Sequence, residues 1–327
     1  MLEIYKNFEL ITMAPIFTQF IWRRRFSRAG EFQLTTPFTA DKLEVFAQGN
    51  IIYKRNVDEA AFIESRNVIQ SVSGELILIV RGRFLQSLLD RRIVTFETPT
   101  PLPLHNIIAN IWEENFGMRA GTLRTMVPEA RMLGFTNNFT FLNVEYRRRN
   151  AYDIITSLLQ DYRIGLNSRY NFDNKSMDIF FYDPVETDVT FSKEFANIFE
   201  QDYRDDTSGY KNVVYIDDEY IHNNHAHIGI DRREMTVPAP SHWLISLRQT
   251  AIDALNENRA TRTISSVVNP FNRQFEYLKD WNIGSIVLSE NRTLNFSGRE
   301  VIREITEYYD ETGMNLEVNL GDYVGRR

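Results

Sequence analysis

The sequence predicts a mainly β protein carrying an α+β insert, and three observations lead there. In two separate regions apolar residues recur at every second position, the period of a half-buried strand. Aromatic residues reach 13%, with 23 Phe and 15 Tyr, and flat rings pack well on pleated faces. Between the two β-rich regions the apolar spacing switches to that of amphipathic helices. At 327 residues the chain is too long for one typical core, so two or three domains are expected.

In the first region Phe20, Trp22, Arg24 and Phe26 alternate with Ile21, Arg23 and Arg25, which predicts a strand with an arginine-rich outer face. Gly30 permits a turn, and Phe32 and Leu34 begin the next strand. Thr39 can cap a short helix to Phe46, with Leu43, Val45 and Phe46 on its apolar side. Further strands are predicted at Ile51 to Tyr53, Ala61 to Val72 and Leu76 to Val80, with a hairpin turn at Ser73-Gly74. From Leu76 the chain runs through Arg81-Gly82-Arg83 into one helical turn, then Leu89 to Val94 and a second strand. Short strands with close turns point to a barrel or sandwich over residues 1–98.

Pro99, Pro101 and Pro103 cannot sit inside a sheet or helix, so they mark a linker or domain edge. Beyond them Leu104, Ile107, Ile108, Ile111 and Trp112 share one helical face. A second helix, Ala151 to Tyr162, has Asn150 as its N-cap and Ile154, Ile155, Leu158, Leu159 and Tyr162 as its buried stripe. Strands at Phe139 to Arg147 and Met177 to Tyr182 flank it, which makes residues 99–186 an α+β insert. Strand spacing then returns over 187–327, at Val189 to Phe191, Val213 to Ile216, Glu234 to Val237, Thr261 to Val268, Ser285 to Leu288, Phe296 to Tyr308 and Met314 to Leu320. One helix interrupts it, His242 to Asn258, capped by Ser241 with Trp243, Leu247, Ala251, Ala254 and Leu255 inward. No repeat of 20 to 50 residues is visible, although two β regions around an insert hint at a structural one.

Cysteine is absent, which removes disulfides, thiolate metal sites and a cysteine nucleophile, and suits assembly in a reducing cytoplasm. A net charge of −7 argues against holding nucleic acid by bulk attraction. The cations are 7 Lys against 30 Arg. Arginine's planar fork favours subunit interfaces, and a codon bias would produce the same ratio. The N-terminus lacks the basic-then-apolar order of a signal peptide, and the run from Leu10 to Phe17 is too short to span a bilayer.

No catalytic, cofactor or metal residue is assigned. His222, His225 and His227 are the one candidate metal cluster, yet their polar, turn-rich setting reads better as a solvated loop. Asp202, Asp205, Asp206, Asp217, Asp218 and Glu219 lie in polar surroundings, unlike the apolar pocket that raises a catalytic carboxyl's pKa, and the last three lack calcium-loop spacing. There is no nucleophile elbow, Walker loop or dinucleotide fingerprint. The runs Arg23-Arg24-Arg25 and Arg147-Arg148-Arg149 read as salt-bridged faces or subunit contacts. Arg81, Arg83, Asp90, Arg91 and Arg92 read as a polar join that fixes the fold.

Several pieces, in order, resemble the tail-hub proteins of long-tailed bacteriophages and prophages, a family also called tail-associated or prophage endopeptidase tail proteins. They are Trp22-x-x-Arg25-Phe26-x-x-Ala29-Gly30-Glu31-Phe32, Val80-Arg81-Gly82-Arg83-Phe84-Leu85 and Leu89-Asp90-Arg91-Arg92-Ile93-Val94. Asn150-Ala-Tyr152-Asp153-Ile154-Ile155, Tyr162-Arg-Ile164-Gly165, Val189-Thr-Phe191-Ser-Lys-Glu194-Phe195, Tyr210-Lys211-Asn212-Val213, Gly284-Ser-Ile286-Val287 and Arg303-Glu304-Ile305 follow. The resemblance implies two tail-tube-like β-barrel domains with a smaller α+β domain, and a homotrimer whose six barrels dock a three-fold hub on a six-fold tube. It implies contacts with tail-tube and distal tail proteins, the tape measure and fibre or spike proteins, and transient contact with passing DNA along an acidic wall. It also implies a place in the virion tail after assembly in the host cytoplasm. Many relatives carry a C-terminal hydrolase or fibre-like extension, whereas this sequence stops at its last strand, so wall cleavage or receptor binding is expected of another subunit. The rival readings are a tail-associated cell-wall hydrolase and a host-carbohydrate-binding module.

Overall fold

A computed structural model describes residues 2–14, 16–70, 72, 74–95, 102–121, 123–124, 129–134, 148–217, 220–239 and 247–322. The first region holds β1 (Leu2–Lys6), β2 (Glu9–Met13), β3 (Gln19–Arg25), β4 (Glu31–Pro37), α1 (Ala40–Val45), β5 (Ile51–Lys54), β6 (Glu59–Phe62), β7 (Ser65–Gln70) and β8 (Leu76–Arg83). Alternation in β3 works as its sequence predicts: Phe20, Trp22 and Arg24 are buried, and Arg23 and Arg25 stand on the other face. A four-stranded sheet in the order β2-β1-β5-β6 lies over β3, β4 and β8. Between them Ile4, Phe20, Trp22, Phe32, Leu34, Ile52, Leu78 and Val80 form one core. Each large side chain so buried contributes about 1.5–3 kcal/mol.

The strand predicted from Ala61 to Val72 is instead two strands that break at Ile63-Glu64, where β6 leaves one sheet and β7 enters the other. Thr39 stands at the N-cap of α1 without making a side-chain cap bond. A hairpin absent from the sequence reading opens the chain. Lys6 pairs with Glu9 across a two-residue turn, Asn7 and Phe8, both at positive φ (51° and 66°). A left-handed Phe is strained, and tertiary contacts hold it: its ring stacks on Tyr170 at 4.3 Å and its N–H donates to the Tyr170 hydroxyl at 2.9 Å.

After β8 a 3-10 helix, Leu85–Arg91, replaces the start of the expected second strand, of which a single bridge from Ile93 to Asn150 is formed. The α+β part comprises α2 (Leu104–Asn115), β9 (Ala130–Met132), α3 (Ala151–Asp161), β10 (Gly165–Asn171) and β11 (Ser176–Tyr182). Both helices bury the stripes read from their spacing except Tyr162, which follows α3 and is partly buried, and Asn150 caps α3 by accepting from the Tyr152 N–H at 2.8 Å. Pro103 precedes α2. The strand expected at Phe139 to Arg147 lies outside the described residues, as do Pro99 and Pro101.

The last region contains β12 (Val185–Phe191), β13 (Ile198–Asp206), β14 (Val213–Ile216), β15 (Tyr220–His222), β16 (Glu234–Val237), α4 (Leu247–Glu257), β17 (Thr261–Val268), β18 (Ser285–Asn291), β19 (Phe296–Asp310) and β20 (Gly313–Asp322). Strands β14 to β16 make a small sheet on which Ala251 and Ala254 of α4 pack. The expected cap Ser241 and the start of that helix at His242 and Trp243 are outside the described residues.

The architecture is mainly β with a small α+β part, as the sequence predicts, but the described pairings close neither β region into a barrel. Instead the two regions share one ten-stranded sheet. Its main path runs β13-β17-β20-β19-β3-β4-β8-β7, with β12 and β18 attached through β19. Periodicity assigns strands; it does not reveal that β19 bonds β20 along one edge and β3 along the other.

Gly82 lies where β8 passes under β6. A Cβ there would meet the Phe62 carbonyl at 1.7 Å, whereas Gly121 has open space around it. We expect Gly82→Ala to lower stability by about 2–3 kcal/mol and Gly121→Ala to leave it nearly unchanged, read from thermal unfolding.

Candidate functional site

Among the described residues the concentrated chemistry lies at the seam between β3 and β19. Strand β3 is bounded by β4 on one side and β19 on the other, so its three arginines meet both halves of the long sheet. On the outer face Arg23 pairs with Glu31 at 2.6 Å, and Arg25 pairs with Glu31 and Glu304, both at 2.9 Å. These side chains are a quarter to two-fifths exposed, so solvent screens the pairs.

On the inner face Arg24 is buried, with its guanidinium forked on Glu59 of β6 at 2.6–2.9 Å. The Trp22 indole N–H donates to the same carboxylate at 3.1 Å. Arg24 also donates to the Tyr277 hydroxyl at 3.0 Å and to Asn282 Oδ1 at 2.5 Å, in the segment before β18. Tyr277 donates to Glu307 of β19 at 2.9 Å, Lys54 of β5 donates to Glu307 at 2.5 Å, and Tyr309 donates to it too. The network thus holds two carboxylates and two cations, neutral in sum and fully partnered, as a dry site requires. Burial pulls the Lys54 ammonium below the usual lysine range against the pull of Glu307.

The predicted polar join also forms. Arg83 pairs with Glu64 at 2.9 Å and Asp90 at 2.8 Å, and Asp90 accepts from Asn150 Nδ2 at 3.0 Å, which ties β8 to the α3 cap. The Arg91 guanidinium lies over the Phe62 ring and that of Arg92 over Phe116. Arg81 donates to Gln33. In the second arginine run, Arg148 and Arg149 bond Val94 through their backbones, and Arg147 lies outside the described residues.

His222 closes β15 against the Tyr220 hydroxyl at 3.1 Å; His225 and His227 lie in the following loop. Among the described residues no three or more His, Cys, Asp or Glu side chains are gathered to hold a metal ion. Asp202, Asp205 and Asp206 belong to β13, an outer strand of the long sheet. Asp217 accepts from the Ala239 N–H, and Asp218 and Glu219 lie outside the described residues. The sequence reading missed Lys54, Glu59, Tyr277, Asn282 and Glu307. Glu307 had a signal, since it sits between Ile305 and Tyr309 on the apolar side of an alternating strand.

The strand registers place Glu200, Asp202, Arg204 and Asp206 on one face with Ser265, Glu317, Asn319 and Glu304. The same face continues through Arg23, Arg25, Glu31, Gln33, Arg81 and Arg83 to Ser65 and Asn67. The long sheet therefore has one face in the core and one mainly polar face. That face is acidic on the β13 side and arginine-rich towards β8, and it also carries Val267, Ile21, Ile77, Ile79 and Ile69. No described helix is long and apolar enough to cross a membrane.

The fold as a whole is similar to that of known tail proteins of phages and prophages. The structure superposes on a tail protein of Neisseria meningitidis MC58 with a TM-score of 0.60, 12% identity and coverage of 98% of this chain and 96% of that one. A 43 kDa tail protein of prophage MuSo2 from Shewanella oneidensis gives 0.59, with 10% identity and coverage of 98% and 96%. The prophage tail protein gp18 of Listeria monocytogenes EGD-e gives 0.59, with 12% identity and coverage of 98% and 94%. No curated protein sequence matches the chain. The chain belongs to the Siphovirus ReqiPepy6 Gp37-like protein family, whose model matches residues 2–322. Its fold is shared with these phage and prophage tail proteins.

Removing one member of the inner network strands a buried charge, so Glu59→Gln should cost about 3–5 kcal/mol and Glu31→Gln below about 1 kcal/mol, compared by denaturant unfolding. Burial also pushes the Tyr5 and Tyr170 hydroxyls up to about 12, and raises those of Tyr277 and Tyr309 further. The fold thus holds these protons longer than the unfolded chain does, so stability is full below about pH 10 and falls as pH rises past it. Absorbance of ionised tyrosine should accordingly rise for these rings together with unfolding.

Proposed function

We propose that the chain is a non-enzymatic hub of the siphovirus tail, a homotrimer that joins the tail tube to the distal tail and borders the DNA channel. The observation that carries this reading is the eight-strand path whose outermost strands, β7 and β13, each pair on one side only among the described residues. Every neighbouring pair along the path is antiparallel, so the two outermost strands run in opposite directions. Strand β7 of one copy laid against β13 of the next would therefore continue the antiparallel pattern and close a ring. Three copies of the eight-strand path give 24 strands, more than the roughly 16–18 that already leave an aqueous channel.

Side chains on these strands support pairing between copies. Strand β7 is exposed along its length and carries Val68, Ile69 and Arg66, while β13 carries Phe199 with Glu200, Asp202, Asp205 and Asp206. Unpaired, exposed apolar strands are aggregation hazards that an obligate neighbour removes. The polar face would then line the channel, where small polar and acidic side chains let a polyanion pass without sticking. Its arginines Arg23, Arg25 and Arg83 already hold carboxylates of the same chain.

On this reading the partners are tail-tube and distal tail proteins, the tape measure and fibre or spike proteins. The division at 98/99 and 186/187 separates two tube-like parts from an outer α+β part, and no cofactor or metal is required. Light scattering should give a trimer mass for the protein alone or with tail-tube protein, and Val68→Lys with Ile69→Lys should shift it to monomer. A strict monomer that also fails to join the tube, or clearing of peptidoglycan in a zymogram, would overturn the reading.

A further inference from the structure

We propose that the seam between β3 and β19 is an acid-sensitive latch: protonation of its buried carboxylates parts the long sheet at this strand pair before the rest of the molecule unfolds.

The two halves of the sheet are joined by one strand pair, Phe20–Arg25 against Glu304–Tyr309. Away from it, cores of large apolar side chains hold each half, Phe32, Leu34 and Leu78 in one, Phe191, Ile302 and Val318 in the other. On the inner face of the seam a charged network sits among the buried Phe20, Trp22 and Ile305. Glu307 is faced by Lys54 from β5, Tyr277 from the segment before β18 and Tyr309 from β19. Glu59 from β6 is faced by Arg24 and Trp22 of β3. Tyr182 of β11 and Asn282 are the remaining polar groups around Arg24. Side chains of Lys54, Glu307, Arg24 and Glu59 are 4% exposed or less.

Charge balance is what makes this site stable, and acid removes it from one side only. A protonated Glu307 no longer neutralises Lys54, and a protonated Glu59 no longer neutralises Arg24. Arginine cannot release its proton, so a cation is left in a dry site. Admitting water is the relief, and the nearest route is through the single strand pair. The outer pairs among Arg23, Arg25, Glu31 and Glu304 are solvent-screened and add little to hold it shut. An apolar seam of equal volume would hold the halves together at any pH, so the charged version adds a condition to their union.

Hydrogen exchange with mass spectrometry on the full chain tests this at neutral pH and at about pH 4, with rates corrected for intrinsic pH dependence. Amides of residues 20–25 and 304–309 should exchange roughly 100-fold faster in acid, while those of 264–268 and 316–320 stay protected. At neutral pH Glu307→Gln should show the same local opening, and Lys54→Met with Glu307→Leu should reduce the acid effect to the part carried by Glu59 and Arg24. Seam amides that stay as protected as those of β17 and β20 in acid would overturn the proposal. So would loss of protection that is uniform over the chain.

Discussion

The pairing of β3 with β19 is the constraint on which the rest of the molecule depends. It turns two β regions, far apart in sequence, into one sheet with a core face and a polar face. Charge surrounds it on both sides. Outside, Arg23 and Arg25 clasp Glu31 and Glu304 under partial solvent; inside, Arg24 and Lys54 are matched to Glu59 and Glu307 without solvent. Three consecutive arginines thus have two environments, set by the pleat that sends alternate side chains to opposite faces.

Most elements were legible in the sequence because period and caps are local properties. Strand β3, both helices of the α+β part and the Asn150 cap follow from spacing alone. What was not legible is non-local. The opening hairpin turns on Asn7-Phe8, where the usual signal would be Asn-Gly, and its strain is relieved by Tyr170 far along the chain. The 3-10 turn at Leu85–Arg91 and the break between β6 and β7 follow from the sheet each segment joins. The single ten-stranded sheet, in place of two separate barrels, was invisible for the same reason.

The candidate site shows the same division. The Arg83–Asp90–Asn150 join lies within segments that the sequence itself singles out. The inner network draws one or two residues from each of five segments, and a lone Glu or Lys beside apolar neighbours carries no address for its partner. His222, His225 and His227 and the cluster of Asp202, Asp205 and Asp206, which attract attention in a linear reading, are spread over β15, the loop after it and the outer strand β13. Buried, paired charges at apolar positions of alternating strands are the more informative signal.

The position of Phe8 has a consequence for the order in which the protein is made. Its N–H waits for a hydroxyl 162 residues downstream, and Arg25 waits 279 residues for Glu304. A ribosome releases the N-terminal strands long before their partners exist, so local helices can settle early while the long sheet closes only after β19 and β20 have been made. Until then the apolar flank of β3 must be kept from other chains. Its arginines at 23 and 25 also give the waiting strand the charge that keeps it soluble.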